Sequence, residues 1–305
     1  MISIQQIDYI LTLSEELHFQ RASELCYVTQ PTLSMQVKKA EEMLGGKLFD
    51  RSRSPLELTA FGKEMLPIFR DVRNDYQRIT ACVQRSKGVY KEQIRLAIIP
   101  TITGYMIPDM YELWNKELQD VQLTIEEMKT EDLISAMEQK KIDVAILAGP
   151  HLDQRLRTIP LFQEEIKAFY PSAKKANVTT VDLMNEHPWL LTKGNCLRTQ
   201  MMHFCGLSHE EKADWDYEGG NIDLLQEMVR NHGGYTLVPS LYIKEKSMDY
   251  KSITSENGDV PAREIIALTQ NKTEKWPSIE RLVRSVQLKY GNQKNGDNLN
   301  VLSWK

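Results

Sequence analysis

The chain is poor in cysteine, with four among 305 residues, and its Gly and Pro contents are ordinary. So few thiols exclude the disulfide framework of a small secreted domain. No apolar run reaches the roughly 18 residues of a membrane helix. The N-terminus also lacks the basic and apolar regions of a secretory signal. We therefore expect a soluble cytoplasmic protein that does not contact a membrane.

Charge of either sign is not in excess, since the net charge is −4. Such a balance argues against a protein that coats nucleic acid regardless of sequence. The first 90 residues carry 12 Lys and Arg against 11 Asp and Glu. Any DNA affinity there must therefore come from local clusters. The length itself predicts two to three domains.

The first sixty residues have the periodicity of three short helices. Ser3 with Gln6 forms a capping box. Thr29 suits the N-cap of the third helix, and Gly45-Gly46 suits its end. One face of that helix is apolar, whereas the other carries short polar groups and cations. Such a face fits base edges and phosphates in a major groove.

Two alternating stretches then flank an Arg-bearing turn, which is the pattern of a β-hairpin wing. An ordinary three-helix core with solvated charges is the alternative. It does not account for the order of helix, Gly-Gly stop and Arg-tipped hairpin. The candidate DNA-contacting residues are Gln30, Pro31, Thr32, Ser34, Met35, Lys38, Arg51 and Arg53.

A long helix follows, with apolar residues spaced 4, 3, 4, 3 and 4, which is a heptad seam. The seam predicts pairing with a second copy of the chain, and packing on its own domain is the alternative. Pro67 should bend its first turns. The seam residues are Met65, Phe69, Val72, Tyr76, Ile79 and Val83.

From Gln93 onward strands alternate with helices, which predicts an α/β domain with mostly parallel sheets and a ligand cleft. The predicted strands are Ile94–Ile99, Leu123–Glu127, Val144–Ala148, Ile166–Tyr170, Trp189–Thr192, Tyr235–Val238 and Glu264–Thr269. The predicted helices are Met106–Glu117, Glu131–Gln139, Leu197–Phe204, Ile222–Arg230 and Ile279–Tyr290. The Asn- and Gly-rich tail, 292–305, is expected to be poorly ordered.

Three motifs together resemble the LysR-type transcriptional regulators. They are Gln30-Pro-Thr-Leu-Ser-Met-Gln-Val37, Glu42-Met-Leu-Gly-Gly-Lys-Leu-Phe-Asp-Arg51 and Leu58-Thr-Ala-Phe-Gly62. The resemblance implies a winged helix-turn-helix in 1–58 and a dimerisation linker helix in 59–88. It also implies a regulatory domain in 92–305 that is built like periplasmic binding proteins. Its first subdomain takes 92–162 and 268–291, and its second takes 163–267.

Two cysteines nine residues apart extend the resemblance. The run Gly194-Asn-Cys196-Leu-Arg-Thr-Gln200 with Phe204-Cys205 is similar to that of the OxyR-type peroxide sensors of that family. Asn231–Pro239 and Arg263–Leu268 agree with later strands of that group. Asn195 departs, because the group has histidine there. Histidine can accept a proton, whereas an amide cannot.

This second resemblance implies that Cys196 reacts with hydrogen peroxide and that Cys205 resolves the product as a disulfide. Arg263 would favour the thiolate, and Thr101 and Thr130 would orient peroxide. A helix over 197–205 spans about 13 Å, whereas a disulfide tolerates a Cα separation of about 7 Å at most. Oxidation should therefore unwind that helix and remodel the regulatory domain.

The expected partners are double-stranded DNA with two-fold-related sites, a second copy in a homodimer and then a homotetramer, and RNA polymerase. We expect an activator rather than an enzyme, with neither a cofactor nor a metal. Three alternatives stay open: a cleft that binds a small effector while the cysteines are incidental, a thiol peroxidase, and a metal site. The metal site would comprise Cys196, His203, Cys205 and His209, although this spacing matches no common zinc pattern.

Overall fold

The computed structural model describes residues 1–52, 55–86, 91–151, 153–206, 221–244, 247–255, 257–291 and 299–302. The chain divides into two compact units, Met1–Tyr90 and Lys91–Lys305. Within the described ranges no helix is long and apolar enough to cross a membrane.

The first unit contains four helices and a hairpin among its described residues. They are α1 (Ile4–Glu16), α2 (Phe19–Leu25), α3 (Gln30–Leu44), β1 (Phe49–Asp50), β2 (Glu57–Leu58) and α4 (Ala60–Ser86). Both hydrogen bonds of the Ser3–Gln6 capping box are present. The Thr29 hydroxyl accepts from the backbone N–H of Thr32, and Gly45 ends α3 with a φ of 73°. The predicted helix caps are therefore confirmed.

The hairpin is fixed to α3 by a buried carboxylate. Glu41 Oε1 accepts from the backbone N–H groups of Leu48 and Phe49 at 2.8 and 3.2 Å. Phe49 is the first residue of β1, and Leu48 precedes it. Both lie at the base of the wing, where β1 pairs antiparallel with β2. Glu41 thereby couples the orientation of the wing to that of α3.

The long helix α4 has two different faces. Phe69 is buried in the core of the first unit, and Met65 packs against it. On another stripe of the helix the apolar side chains are exposed: Ile68, Val72, Tyr76 and Ile79 are 39–63% accessible. The side chain of Val83 lies outside the described residues. Each alternative for the seam thus applies to some of its described residues. Met65 and Phe69 pack on their own domain, whereas Val72, Tyr76 and Ile79 are exposed.

The second unit is built on one mixed sheet. Its strands are β3 (Glu92–Ile98), β4 (Val121–Glu127), β5 (Val144–Ala148), β6 (Leu156–Phe169), β7 (Asn177–Thr179), β8 (Thr236–Pro239), β9 (Tyr250–Thr254), β10 (Val260–Gln270) and β11 (Leu299–Val301). Its helices are α5 (Pro100–Glu117), α6 (Thr130–Glu138), α7 (Thr180–Met184), α8 (Cys196–Phe204), α9 (Ile222–His232) and α10 (Trp276–Tyr290), with a 3₁₀ turn at Ser240–Tyr242.

The strand order is β4-β3-β5-β10-β6-β9-β7, with β8 beside β6 and β11 beside β10. β3 is parallel to β4 and β5, but β10 is antiparallel to both β5 and β6. The prediction of mostly parallel sheets is therefore wrong. Helical crossovers produce parallel neighbours, whereas β6 follows β5, and β10 follows β9, with no helix between them.

Two hydrophobic cores flank this antiparallel pair. The first core lies around β3, β5, α5, α6 and α10. The second lies around the end of β6, β8, β9, α8 and α9. Because β6 contributes residues to both cores, it joins two packed bodies in one sheet. The predicted domain and subdomain boundaries stay a prediction.

Two further expectations are wrong. Trp189–Thr192 is not a strand, since the pairing there is an isolated bridge between Pro188 and Tyr235 before the chain turns at Gly194 with a φ of 86°. The tail is ordered at its described end, where β11 pairs parallel with β10. The remaining tail residues, 292–298 and 303–305, lie outside the described part.

Candidate functional site

Cys196 is the first residue of α8, and only 3% of its surface is exposed. Its side chain belongs to the first core, although most of α8 packs on the second. Asn195 occupies the N-cap position without a side-chain cap, and its Nδ2 instead donates to the Thr192 carbonyl. The N-cap residue of α8 thus has an amide side chain, which has no titratable proton.

Burial raises the pKa of the Cys196 thiol above its ordinary value. Several groups act in the opposite direction: the Arg263 charge, the Thr130 hydroxyl, and backbone N–H groups at Leu197 and Ala148. The sum is a raised pKa, so the closed, reduced pocket favours the thiol. Reaction at neutral pH therefore depends on these opposing groups, because the thiolate is the nucleophile.

Arg263 lies fully buried in β10. Its Nε and Nη2 point at one oxygen of Glu164, at 2.8 and 2.7 Å. Nη1 donates to the Thr101 hydroxyl at 2.8 Å, and Nη2 to the Thr101 carbonyl at 3.0 Å. Burial alone would lower the Arg263 pKa, but Glu164, Tyr105 and Cys196 raise it overall. The guanidinium is therefore held charged and in one orientation.

The donors of this network leave protons for a ligand. A guanidinium has five N–H donors, and the hydrogen bonds above use Nε, one proton of Nη2 and one proton of Nη1, while Nη2 also faces Glu164 as an ion pair. One N–H of Nη1 remains among the described contacts. The Thr101 hydroxyl accepts from Arg263, so its own proton is free to be donated. The network therefore holds two donors, one on Arg263 and one on Thr101, for which the described contacts give no acceptor.

Thr130 supplies a further hydroxyl at the start of α6. Its oxygen is buried, and the described residues provide no hydrogen-bond partner within the usual geometry. It nevertheless lies close enough to Cys196 to lower the pKa of the thiol. Thr101 and Thr130 each follow a strand of the sheet, so the strand ends bring them together. Thr130 thus lies beside Cys196, and Thr101 is joined to the same group of residues through Arg263.

Two members of this network were not predicted. Glu164 is 1% exposed on β6, and Tyr105 on α5 donates to the same Glu164 oxygen at 2.9 Å. Burial and the Glu164 charge raise the Tyr105 pKa. Tyr105 stands four residues after Thr101, hence on the same helix face, which was a usable signal. An acidic residue in a run of polar residues gave no such signal for Glu164.

Cys205 caps the other end of α8 and is fully buried in the second core. Burial raises its pKa to about 11, against a lowering contribution from the Tyr235 hydroxyl. Both thiols are free. Nine helical steps separate them by about 13 Å, whereas a disulfide requires about 7 Å or less between Cα atoms. The pair cannot be joined while α8 is intact.

The structure also bears on the alternative metal site and on the two other cysteines. Among the residues with described positions, no group of three His, Cys, Asp or Glu could hold a metal, and His209 lies outside them. Cys26 is half-buried, and the side chain of Cys82 is outside the described residues.

The predicted DNA-contacting residues lie along α3 and the wing. Gln30, Pro31, Met35 and Lys38 are exposed, and Thr32 and Ser34 are half-buried. The Arg51 guanidinium donates to Ser34 and pairs with Glu41 at 3.1 Å. It also lies over the Phe19 ring. Arg51 is thus held beside α3, and Arg53 lies outside the described residues. DNA contact by these residues stays a prediction.

Comparison with protein families gives two matches. Residues 4–63 match the model for bacterial regulatory helix-turn-helix proteins of the lysR family. Residues 87–289 match the LysR substrate binding domain.

Several characterised proteins are similar in sequence. The hydrogen peroxide-inducible genes activator of Dickeya chrysanthemi is 29% identical over 249 residues, covering 80% of this chain and 81% of that one. The dual regulator OxyR of Escherichia coli is 29% identical over 248 residues, with 79% and 80% covered. The regulator EstR of Acinetobacter baylyi is 28% identical over 276 residues, with 89% and 91% covered.

The same likeness holds for solved structures. Full-length OxyR from Pseudomonas aeruginosa has a TM-score of 0.72 and 26% identity, and 94% of this chain and 98% of that chain are covered. A Corynebacterium glutamicum OxyR mutant with bound hydrogen peroxide has a TM-score of 0.59 at 21% identity, covering 94% and 92%. At that identity the likeness concerns the fold.

Proposed function

This chain belongs to the LysR family of bacterial helix-turn-helix regulators, and from that premise we propose that it is a transcriptional regulator that senses hydrogen peroxide. The observation that carries the proposal is the placement of Cys196 and Cys205 at opposite ends of one helix. Each thiol is buried in a different core. Several hydrogen-bonding groups and a guanidinium act on the first thiol, whereas one tyrosine hydroxyl acts on the second. The names of the similar activators support the same assignment.

In the first step the Cys196 thiolate attacks one peroxide oxygen. The S–O bond forms as the O–O bond breaks, which gives a sulfenic acid and a hydroxide ion. The hydroxide takes up the proton that the thiol lost and leaves as water. Thr101, Thr130 and the remaining Arg263 N–H can donate to the peroxide oxygens while charge develops on the leaving oxygen. Asn195 takes no part in proton transfer.

In the second step Cys205 attacks the Cys196 sulfenic acid and releases water as the disulfide forms. Because α8 keeps the thiols apart, this step requires the helix to unwind and Cys205 to leave the second core. The oxidised regulatory domain thereby acquires a different packing, and we propose that this change alters how the regulator binds DNA. A thiol reductant would return two electrons and restore α8.

The exposed stripe of α4 supports a homodimer as the DNA-binding form. Its uncovered apolar side chains stand four, four and three residues apart, on one stripe of the helix. Pairing of two such stripes would present two copies of α3 to a two-fold-related DNA site. A homotetramer, transcriptional activation, contact with RNA polymerase and the absence of enzymatic turnover belong to the same proposal.

The test combines intact mass spectrometry with DNA footprinting. Equimolar peroxide should remove two hydrogens from the wild-type chain, join peptides that contain Cys196 and Cys205, and change the footprint. Cys196→Ser should lose all three responses. Cys26→Ser is the matched control, because it removes a half-buried thiol outside the site.

A footprint that ignores peroxide but changes with a small organic compound would instead indicate a cleft-binding regulator. Sustained peroxide consumption with a reductant would indicate a peroxidase. Either result would overturn the proposal.

A further inference from the structure

We infer that Gln200 and the C-terminal segment Leu299–Leu302, here called the strap, are positioning elements that hold α8 in its helical form and so set the rate of disulfide formation. The inference rests on the proposed peroxide function. It concerns its second step, in which Cys205 displaces water from the Cys196 sulfenic acid.

The strap is an added strand on β10. Val260, Pro261 and Ala262 pair with Leu299, Asn300 and Val301, and the Leu302 N–H donates to the Ala262 carbonyl at 2.8 Å. Ala262 also pairs with β6 on its other side. The strap therefore occupies the edge of β10 that β5 takes further along, from Ile265 onward. It ends directly beside Arg263.

The strap also contacts the middle of α8. Gln200 lies between the two cysteines and is fully buried, and its Nε2 donates to the Leu302 carbonyl at 2.9 Å. The Leu302 side chain packs against the second core, which includes Leu197, Met201 and Cys205. The strap is thus hydrogen-bonded to β10 on one side and to α8 on the other.

Unwinding α8 must disturb this arrangement. The Cα atoms of the cysteines have to approach from about 13 Å to about 7 Å, and Gln200 lies in the segment that rearranges. Either the Gln200–Leu302 hydrogen bond breaks and its buried groups lose their partner, or the strap leaves β10 with the helix. Both routes raise the free energy of the unwound state. The first chemical step leaves α8 intact and should not depend on the strap.

The test compares a chain that ends at Asn298 with a chain that ends at Ser303. The first lacks the whole strap, and the second keeps it with the Leu302 peptide carbonyl intact. In the reduced state, without peroxide, we expect hydrogen exchange of the α8 amides to be faster by about tenfold in the shorter chain, equivalent to about 1.4 kcal/mol. After a peroxide pulse, dimedone trapping should show equal rates of sulfenic acid formation, whereas the disulfide should form faster in the shorter chain.

Gln200→Leu gives a second variant in the full-length chain, should the truncated protein fail to fold. It removes the donor to Leu302 at similar side-chain volume, and it should accelerate the same step to a smaller extent. Equal α8 exchange and equal disulfide rates in all chains would overturn the inference and leave the proposed function standing. Faster α8 exchange with no disulfide in any chain would keep the strap as a restraint on α8 and overturn the proposed function.

Discussion

The two ends of α8 hold the same residue type in different surroundings. Cys196 is buried, but it adjoins a guanidinium, a hydroxyl and backbone N–H groups that lower its pKa. Cys205 is buried among apolar side chains, with one tyrosine hydroxyl as its polar neighbour. Burial alone therefore does not decide the role of a thiol. The nearby donors at the first end support its proposed attack on peroxide, and their scarcity at the second end supports the proposal that Cys205 reacts later.

The largest expected effect separates the two ends directly. Cys196→Ser should abolish both sulfenic acid and disulfide, because the attacking thiolate is gone. Cys205→Ser should still form the sulfenic acid at Cys196, which then persists without a resolving thiol. Dimedone adducts located by peptide mass spectrometry measure the difference. An adduct at Cys205 in the Cys196→Ser chain would reverse the assigned roles.

Cys205 should also make the stability of the reduced protein depend on alkaline pH. Its pKa is about 11 in the folded state against 9.0 as the ordinary value. Between these values the unfolded chain loses the proton first, so stability falls as pH rises from about 9 to about 11. The loss attributable to Cys205 is about 2–3 kcal/mol.

Urea denaturation at several pH values measures this dependence. Cys205→Ala should have a shallower slope over the same range, whatever its absolute stability. Parallel slopes for the two proteins would show that Cys205 titrates like an exposed thiol.

Glu164→Gln should sharpen the chemistry of the Cys196 end. The carboxylate offsets the Arg263 charge, whereas the amide keeps an oxygen that can accept from the guanidinium. The pKa of Cys196 should therefore fall, and the pH midpoint of its alkylation by iodoacetamide should move down by about one unit. The matched control is Glu165→Gln, since Glu165 is the next residue and pairs with Lys167 at 3.7 Å. An unchanged or higher midpoint would contradict the role of Glu164.

The smallest effect is expected at Tyr235. Its hydroxyl lowers the Cys205 pKa, so Tyr235→Phe should raise that pKa. Disulfide formation should slow by a few-fold, since the free energy lost is on the order of that of one hydrogen bond. Sulfenic acid formation at Cys196 should be unaffected. Tyr170→Phe, whose ring centroid lies 6.3 Å from that of Tyr235, provides the comparison. Slowing of both steps would indicate a general loss of packing.

Local signals predicted the parts of the fold that depend on neighbours along the chain. The Ser3 and Thr29 caps and the strand Val144–Ala148 are as the sequence indicates. Helix α5 begins at Pro100, six residues before its predicted start. The prediction missed this turn because its polar and small residues, including Thr101, do not continue the apolar period. That same turn carries a pocket residue.

Contacts between distant segments could not be predicted in this way. Arg263 and Glu164 are 99 residues apart and meet because β10 and β6 pair antiparallel. The strap is a short stretch of three apolar residues and Asn300 after an Asn- and Gly-rich segment, and it pairs with an open edge of β10 and with Gln200. Such pairings depend on topology, which a local period does not encode.

The sequence by itself determined the family resemblance, the helix caps, and the nine-residue spacing that prevents a disulfide within an intact helix. These follow from backbone geometry and short-range hydrogen bonds, which neighbouring residues specify. Only the tertiary structure decided that Cys196 and Cys205 lie in different cores, that Glu164 offsets Arg263, and that the strap holds α8. Burial and electrostatic environment arise from segments brought together by folding, and they separate two identical thiols into two chemical roles.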